Sequence, residues 1–233
     1  MSYLVLGGAG HTSKVVAEKL LTAGKDVTVL GRNAENLKPL TDQGAKPAVG
    51  SLEDVEFLKS AFKDKKAVYA LIPPNFGAQD FRSYQQKVAK NIVEAIKVNQ
   101  TPYVVFLSSV GAHMGNGAGV VDGLADFEKL VKELPGVNVK VLRPGFFYYN
   151  FFSQMPTLKA MGIMGGNYGP DVLLPFVDTN DIGEVAAEEL LNLNFSGTTV
   201  RYIASEEMTP QQATSIIGEA IGKSDLKWVY FPD

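Results

Sequence analysis

Five short apolar runs recur in the first part of the chain: YLVLG at 3–7, DVTVLG at 26–31, AVYALI at 67–72, YVVFLSS at 103–109 and VKVLR at 139–143. Helix-patterned segments separate them, with a further short strand expected near 46–49. Runs this apolar suit strands that are covered on both faces, which is the environment of a parallel sheet between two helical layers. Strand–helix–strand connections are right-handed almost without exception. The pattern therefore predicts a doubly wound parallel α/β sheet of Rossmann type.

The helical segments have the expected spacing. Residues 13–23 place Val15, Val16, Leu20 and Leu21 toward one face, and Gly24 stops the helix. Further helices are expected at about 34–43, 53–62, the low 80s to 99, and 122–134. Pro73 and Pro74 halt the fourth strand. After Pro144 the texture changes, and residues 146–178 are rich in aromatics, Met, Gly and Pro without clear periodicity. A helix at 180–192, a strand at 198–204, a helix at 209–221 and a strand at 227–230 follow. The expected division is a first domain at 1–145 and a smaller, partly interleaved α/β lobe at 146–233.

Composition narrows the chemistry. The chain has 233 residues, is 45% hydrophobic and carries a formal net charge of -3. An acidic balance disfavours a general affinity for nucleic acid. There is no cysteine, which removes thiol catalysis, disulfides and cysteine metal sites and fits a reducing compartment. With His11 and His113 as the two histidines, no histidine-rich metal site can be built. No secretory leader and no long apolar run is visible, so a cytoplasmic protein without membrane attachment is expected.

The glycine-rich stretch GGAGHTS at 7–13 sits between the first strand and the first helix. Gly7 can form the tight turn, and Gly10 can let the backbone approach a pyrophosphate. The amides around His11 and Thr12 can hold the anion at the helix start. The third position of the spacing is Ser13 where glycine is usual, a small residue that can also help cap the helix. The second strand ends in LGRN. An acidic residue here would take the ribose hydroxyls of NAD; Arg32 instead suits a 2′-phosphate, pointing to NADP.

With these residues the chain resembles the NmrA-like family of atypical short-chain dehydrogenases/reductases. The likeness runs through GGAGHTS, LGRN, VGSLEDVEFLKSAF, ALIPP, FLSSVGA, FEKLVKE, VLRPGFFYYNF, FVDTNDIGEVAAEEL and KWVYFP. It implies that Ser51 and Leu52 lie near the adenine and that Ile72, Pro73 and Pro74 pass the ribose. It also implies that Ser108, Ser109 and Val110 sit on the nicotinamide side, with Pro144, Gly145 and Phe146 near the same ring. Quinone reductases, related reductases and non-catalytic NADP-binding redox sensors occur in this family. Two departures stand out. The Tyr-x-x-x-Lys proton relay is missing: none of the nine tyrosines has a lysine four residues later, and the corresponding positions counted back from Glu128 hold Val120 and Leu124. The chain also ends at KWVYFPD, where family members commonly continue.

The expected activity is NADPH-dependent reduction of a small planar acceptor such as a quinone; the alternative is a redox sensor that engages a protein partner. Phe147 and Tyr149, in the aromatic run 146–152, are candidates to line the acceptor site. Catalytic candidates are His113, as a proton donor, and Asn150, as a hydrogen-bond donor to a carbonyl. Asp178 and Asp181 are read as a helix start, GNGAG at 115–119 as a flexible loop, and KDKK at 63–66 as a solvated helix end.

Overall fold

The computed structural model describes residues 2–232. Along the chain, β1 (Ser2–Val5) leads to α1 (His11–Thr22), β2 (Asp26–Gly31), α2 (Ala34–Thr41), β3 (Lys46–Val49), α3 (Val55–Phe62) and β4 (Ala67–Ala70). Then come α4 (Phe81–Asn99), β5 (Tyr103–Leu107), α5 (Asp122–Lys132), β6 (Asn138–Pro144) and β7 (Phe146–Phe147). The remainder is α6 (Met155–Met161), β8 (Met164–Gly166), β9 (Leu174–Val177), α7 (Thr179–Asn192), β10 (Thr198–Ile203), β11 (Glu206–Met208), α8 (Pro210–Ala220) and β12 (Trp228–Tyr230).

Two compact units result, one of residues 1–143 with 180–202, the other of 144–179 with 203–233. The first holds a seven-stranded sheet in the order β10-β6-β5-β4-β1-β2-β3. The pairings from β3 through β6 are all parallel. Side-chain alternation decides what each strand contributes. Leu4, Leu6, Val68, Ala70, Val104 and Phe106 form one core with Leu58 and Phe62 of α3, Val88, Ile92 and Ile96 of α4, and Phe127 of α5. Phe106 meets Phe127 edge-on at 4.2 Å between ring centroids. Asn33, Asp54 and Asp80 cap α2, α3 and α4, accepting from the amides of Glu35, Phe57 and Ser83. No helix among the described residues is long and apolar enough to cross a membrane.

β1 lies between β2 and β4, so the strand order reverses there. In open α/β sheets that reversal leaves a crevice beyond the carboxyl ends of the strands. The glycine stretch follows β1 directly.

The second unit contains a three-stranded sheet, β11-β9-β7, and the parallel pair β8 and β12. Phe176 of β9 is buried. Tyr148 and Phe151 stack on it at 5.4 Å and 5.7 Å, and Phe146 meets it at a steep angle at 5.3 Å. Trp228 is held at both nitrogens: its indole N–H donates to the Tyr168 carbonyl at 2.9 Å, and its amide to the Gln211 side chain at 2.9 Å.

The region 146–178, without clear periodicity in sequence, holds the short elements β7 to β9 and α6. Two sequence expectations are corrected. β10, expected with the smaller lobe, is an edge strand of the large sheet. The KDKK segment is not uniformly solvated. Lys65 donates to Thr28 Oγ1 at 2.7 Å and Ser2 Oγ at 3.1 Å. Its partial burial pulls the ammonium below the usual lysine range.

Candidate functional site

Gly7 adopts φ +63, a left-handed conformation that L side chains rarely take, and turns the chain out of the sheet. The Gly10 amide donates to the Gly7 carbonyl at 2.7 Å. A Cβ on Gly10 would lie 3.1 Å from that same oxygen, a tight contact that the turn would have to ease by a few tenths of an ångström. Gly10 is the N-cap of α1 and has no side chain with which to cap it. The first-turn amides of a helix have no intrahelical acceptor, and together with the helix dipole they favour an anion.

Ser13 does not cap this helix. It is completely buried, and its hydroxyl donates to the Leu6 carbonyl at 2.8 Å. The serine thus ties α1 to the strand it packs on, at the point where a glycine would only permit close approach. Thr12 is 6% exposed, and its Oγ1 accepts a 3.1 Å hydrogen bond from the Tyr69 phenol.

The other expected dinucleotide residues of the first unit follow the carboxyl ends of neighbouring parallel strands. Arg32 comes directly after β2, is exposed and makes no ion pair among the described residues. Its positive charge offsets part of the rise that burial imposes on the Tyr84 phenol. Ser51 and Leu52 follow β3. Ser51 Oγ accepts from the Glu53 amide at 3.1 Å, and the Leu52 carbonyl accepts from Asn91 at 3.1 Å. Ile72, Pro73 and Pro74 follow β4, with Ile72 buried and Pro74 exposed. Ser108 and Ser109 follow β5.

Ser108 carries more than its sequence suggested. Its hydroxyl donates to Glu128 Oε1 at 2.6 Å, and its amide donates to the Leu142 carbonyl at 2.8 Å. Glu128, on α5, also receives the Arg143 guanidinium, with Nη2 at 2.6 Å from Oε2 and Nε at 3.1 Å from Oε1. Arg143 then donates to the Tyr202 hydroxyl at 2.8 Å. Glu128 and Arg143 are 2% and 8% exposed. The glutamate holds the Arg143 guanidinium above its ordinary range. This network and the Tyr69–Thr12 contact have no counterpart in the sequence reading, although Glu128 and Arg143 stand inside the FEKL and LRPG stretches. A buried charge pair 15 residues apart has no local signature.

His113 lies exposed on a 3-10 turn after β5, with no partner holding its ring among the described residues. Val120 is exposed in the next such turn, while Leu124 packs against the core. Neither position offers a titratable group. The loop 115–119 is tied down. The amides of Gly117 and Ala118 donate to the Asp122 carboxylate at 3.1 and 2.9 Å, and Asn116 accepts from Arg82, which also grips Asp126 through two bonds of 2.8 and 2.9 Å.

In the second unit, Gly145 has a steric reason. A Cβ there would run into the Pro175 carbonyl, and its amide donates to the Ile203 carbonyl at 3.0 Å. Phe146 belongs to the aromatic cluster around Phe176. Phe147 is half-buried in β7, whereas Tyr149 is 45% exposed and touches Phe152 at 5.4 Å. Asn150 is exposed, and its carbonyl accepts from Ser153 at 2.7 Å. Asp178 immediately precedes α7, and Asp181 lies in its first turn. The structure brings the unit-one residues to one edge of one sheet, and Phe147, Tyr149 and Asn150 to a separate unit.

Solved structures share this fold. An NADPH-dependent quinone oxidoreductase from Escherichia coli superposes with a TM-score of 0.82 at 18% identity, covering 99% of this chain and 78% of its own. The Citrobacter sp. triphenylmethane reductase complexed with NADP(H) gives 0.81 at 19%, covering 100% and 79%. Among curated sequences, an uncharacterized protein of Schizosaccharomyces pombe is 35% identical over 98 residues, 41% of this chain and 32% of that protein. The UDP-glucose 4-epimerase of Lactobacillus helveticus is 27% identical over 122 residues, 48% and 37% of the two chains. The matched part thus spans about a third of these two relatives' length. A profile of the NmrA-like family covers residues 2–232. That span takes in the glycine turn, the Arg32 position and the elements of both units, and the chain belongs to the NmrA-like family.

Proposed function

We propose that this protein binds NADPH and reduces a small planar acceptor, such as a quinone. The observation that carries the reading is the edge of the large sheet. A helix start without a side-chain cap follows β1 through the Gly7–Gly10 turn, and the exposed Arg32, which makes no ion pair among the described residues, follows the neighbouring strand β2. Family membership supports it, as do the similar folds of the NADPH-dependent quinone oxidoreductase and the triphenylmethane reductase.

The residues fit the group. The α1 amides and Thr12 would hold the pyrophosphate, Arg32 would take the 2′-phosphate, and Ser51, Leu52 and Ile72 to Pro74 would border the adenosine. When bound, the cofactor supplies a hydride. Phe147 and Tyr149 offer aromatic faces suited to a planar acceptor. No side chain need deliver a proton in the hydride step, because a reduced quinone takes protons from water. That agrees with the apolar Val120 and Leu124 at the proton-relay positions, which also disfavour the sugar epimerisation named for the Lactobacillus helveticus relative. In cells the protein would act in the cytoplasm.

A second reading, a cofactor-binding redox sensor with a protein partner, is favoured by the same missing relay. The test is NADPH oxidation followed by absorbance across a panel of quinones, dyes and aldehydes. Saturable turnover is expected with at least one planar acceptor. Tight NADPH binding with no turnover across the panel favours the sensor.

A further inference from the structure

Tyr69 is completely buried on β4, the strand next to β1 at the point where the strand order reverses. Its register partners on β1 and β5 are Val5 and Val105, and its phenol donates a hydrogen bond to Thr12 Oγ1 at 3.1 Å. Thr12 is the second residue of α1, directly after the Gly7–Gly10 turn, and is itself nine-tenths buried.

The direction of this bond follows from what each hydroxyl needs. A buried phenol that accepted from Thr12 would leave its own O–H without an acceptor, at the full cost of desolvating a donor. Tyr69 therefore donates and Thr12 accepts. Burial pushes the phenol far above the usual tyrosine range, so it stays a donor at every physiological pH. Thr12 has one hydroxyl proton, and no acceptor for it exists among the described residues. The threonine is thus a donor at the helix start, with one of its two lone pairs engaged by Tyr69.

We propose that Tyr69 is a positioning residue for the pyrophosphate: by donating to Thr12 Oγ1 it fixes that hydroxyl so that its proton is directed to a phosphate oxygen of the bound dinucleotide. The inference rests on the dinucleotide reading above and adds a role for a side chain outside the glycine motif. A hydroxyl that both accepts and donates is polarised, and each bond strengthens the other.

The experiment is calorimetric titration of NADPH, and of adenosine 2′-monophosphate as a probe without a pyrophosphate, into five proteins: wild type, Tyr69→Phe, Thr12→Val, Thr12→Ser and the Tyr69→Phe/Thr12→Val double variant. Tyr69→Phe is expected to weaken NADPH about three- to tenfold and leave the 2′-monophosphate unchanged. Thr12→Val should weaken NADPH by about tenfold or more. Adding Tyr69→Phe to Thr12→Val should cost nothing further, because Tyr69 acts through that hydroxyl. Thr12→Ser, which keeps the hydroxyl, should retain wild-type affinity and covers the case in which a valine or phenylalanine variant folds poorly. NADPH affinity unchanged in Tyr69→Phe or Thr12→Val, or losses that multiply in the double variant, would overturn the inference. A wild-type protein that binds the monophosphate and NADPH equally weakly overturns the pyrophosphate site itself, and this inference with it.

Discussion

Replacing Glu128 with alanine should destabilise the first unit severely. Glu128 is 2% exposed and accepts from Ser108 and twice from Arg143. Removing one member of a buried ion pair costs about 3–5 kcal/mol, because the partner charge is left uncompensated. Arg143 has an outlet: Nη1 reaches the hydroxyl of Tyr202, which is 58% exposed, so water can partly solvate the stranded guanidinium. That puts the charge contribution near the low end, about 3 kcal/mol. The orphaned Ser108 hydroxyl adds about 1 kcal/mol. A total of about 4 kcal/mol corresponds to a fall in Tm of roughly 8–16 °C for a unit of this size. Urea denaturation followed by far-ultraviolet circular dichroism is the assay, since it reports the helices of the first unit; the single tryptophan, Trp228, lies in the second. Pairing Glu128→Leu with Arg143→Met removes both charges and should recover most of the loss. A loss under about 1 kcal/mol in Glu128→Ala, or a double variant as unstable as the single one, would refute the reasoning.

Arg32→Ala should reduce a preference for NADPH over NADH by about tenfold, the lower part of the range for a hydrogen bond to a charged group, because the site is exposed and screened by salt; equal wild-type affinity for the two cofactors would remove Arg32 from the site. Gly10→Val should abolish NADPH binding while circular dichroism stays native, since a side chain would enter the turn beside the Gly7 carbonyl; unchanged affinity in a folded variant displaces the phosphate loop. For acid stability, the Arg82 hydrogen bond holds the Asp126 carboxyl below its usual range. The folded value is depressed, so this pair's contribution is full above about pH 4 and is lost as pH falls through the depressed value. Arg82→Leu should therefore flatten the acid limb of the stability profile, and an unchanged limb counts against the assignment.

Much of the first unit is legible from sequence because its signals are local. The apolar runs locate β1, β2, β4, β5 and β6 to within a few residues, and helical spacing locates α1 through α5, since burial on both faces of a parallel sheet leaves long apolar stretches to read; β3, KPAV at the exposed edge, carries no such run. Glycine spacing after β1 marks the turn, and the φ of Gly7 gives the stereochemical reason. The residues after β1 to β5 share a sheet edge for the same reason: parallel strands all end on one side.

Tertiary structure decided what spacing cannot express. Ser13 reads as a weakened glycine or a cap, and becomes a strand-to-helix tie only when the Leu6 carbonyl lies 2.8 Å from its hydroxyl. The short elements of 146–178 hold together through an aromatic cluster on Phe176 that no period within the segment announces. β10 reaches the large sheet across the chain's intervening residues. Glu128 with Arg143, and Tyr69 with Thr12, are pairs made by packing, separated by 15 and 57 residues. A sequence determines which side chains can be buried and with what period. Which polar groups must then find each other inside is settled only when the elements pack and every buried donor requires an acceptor.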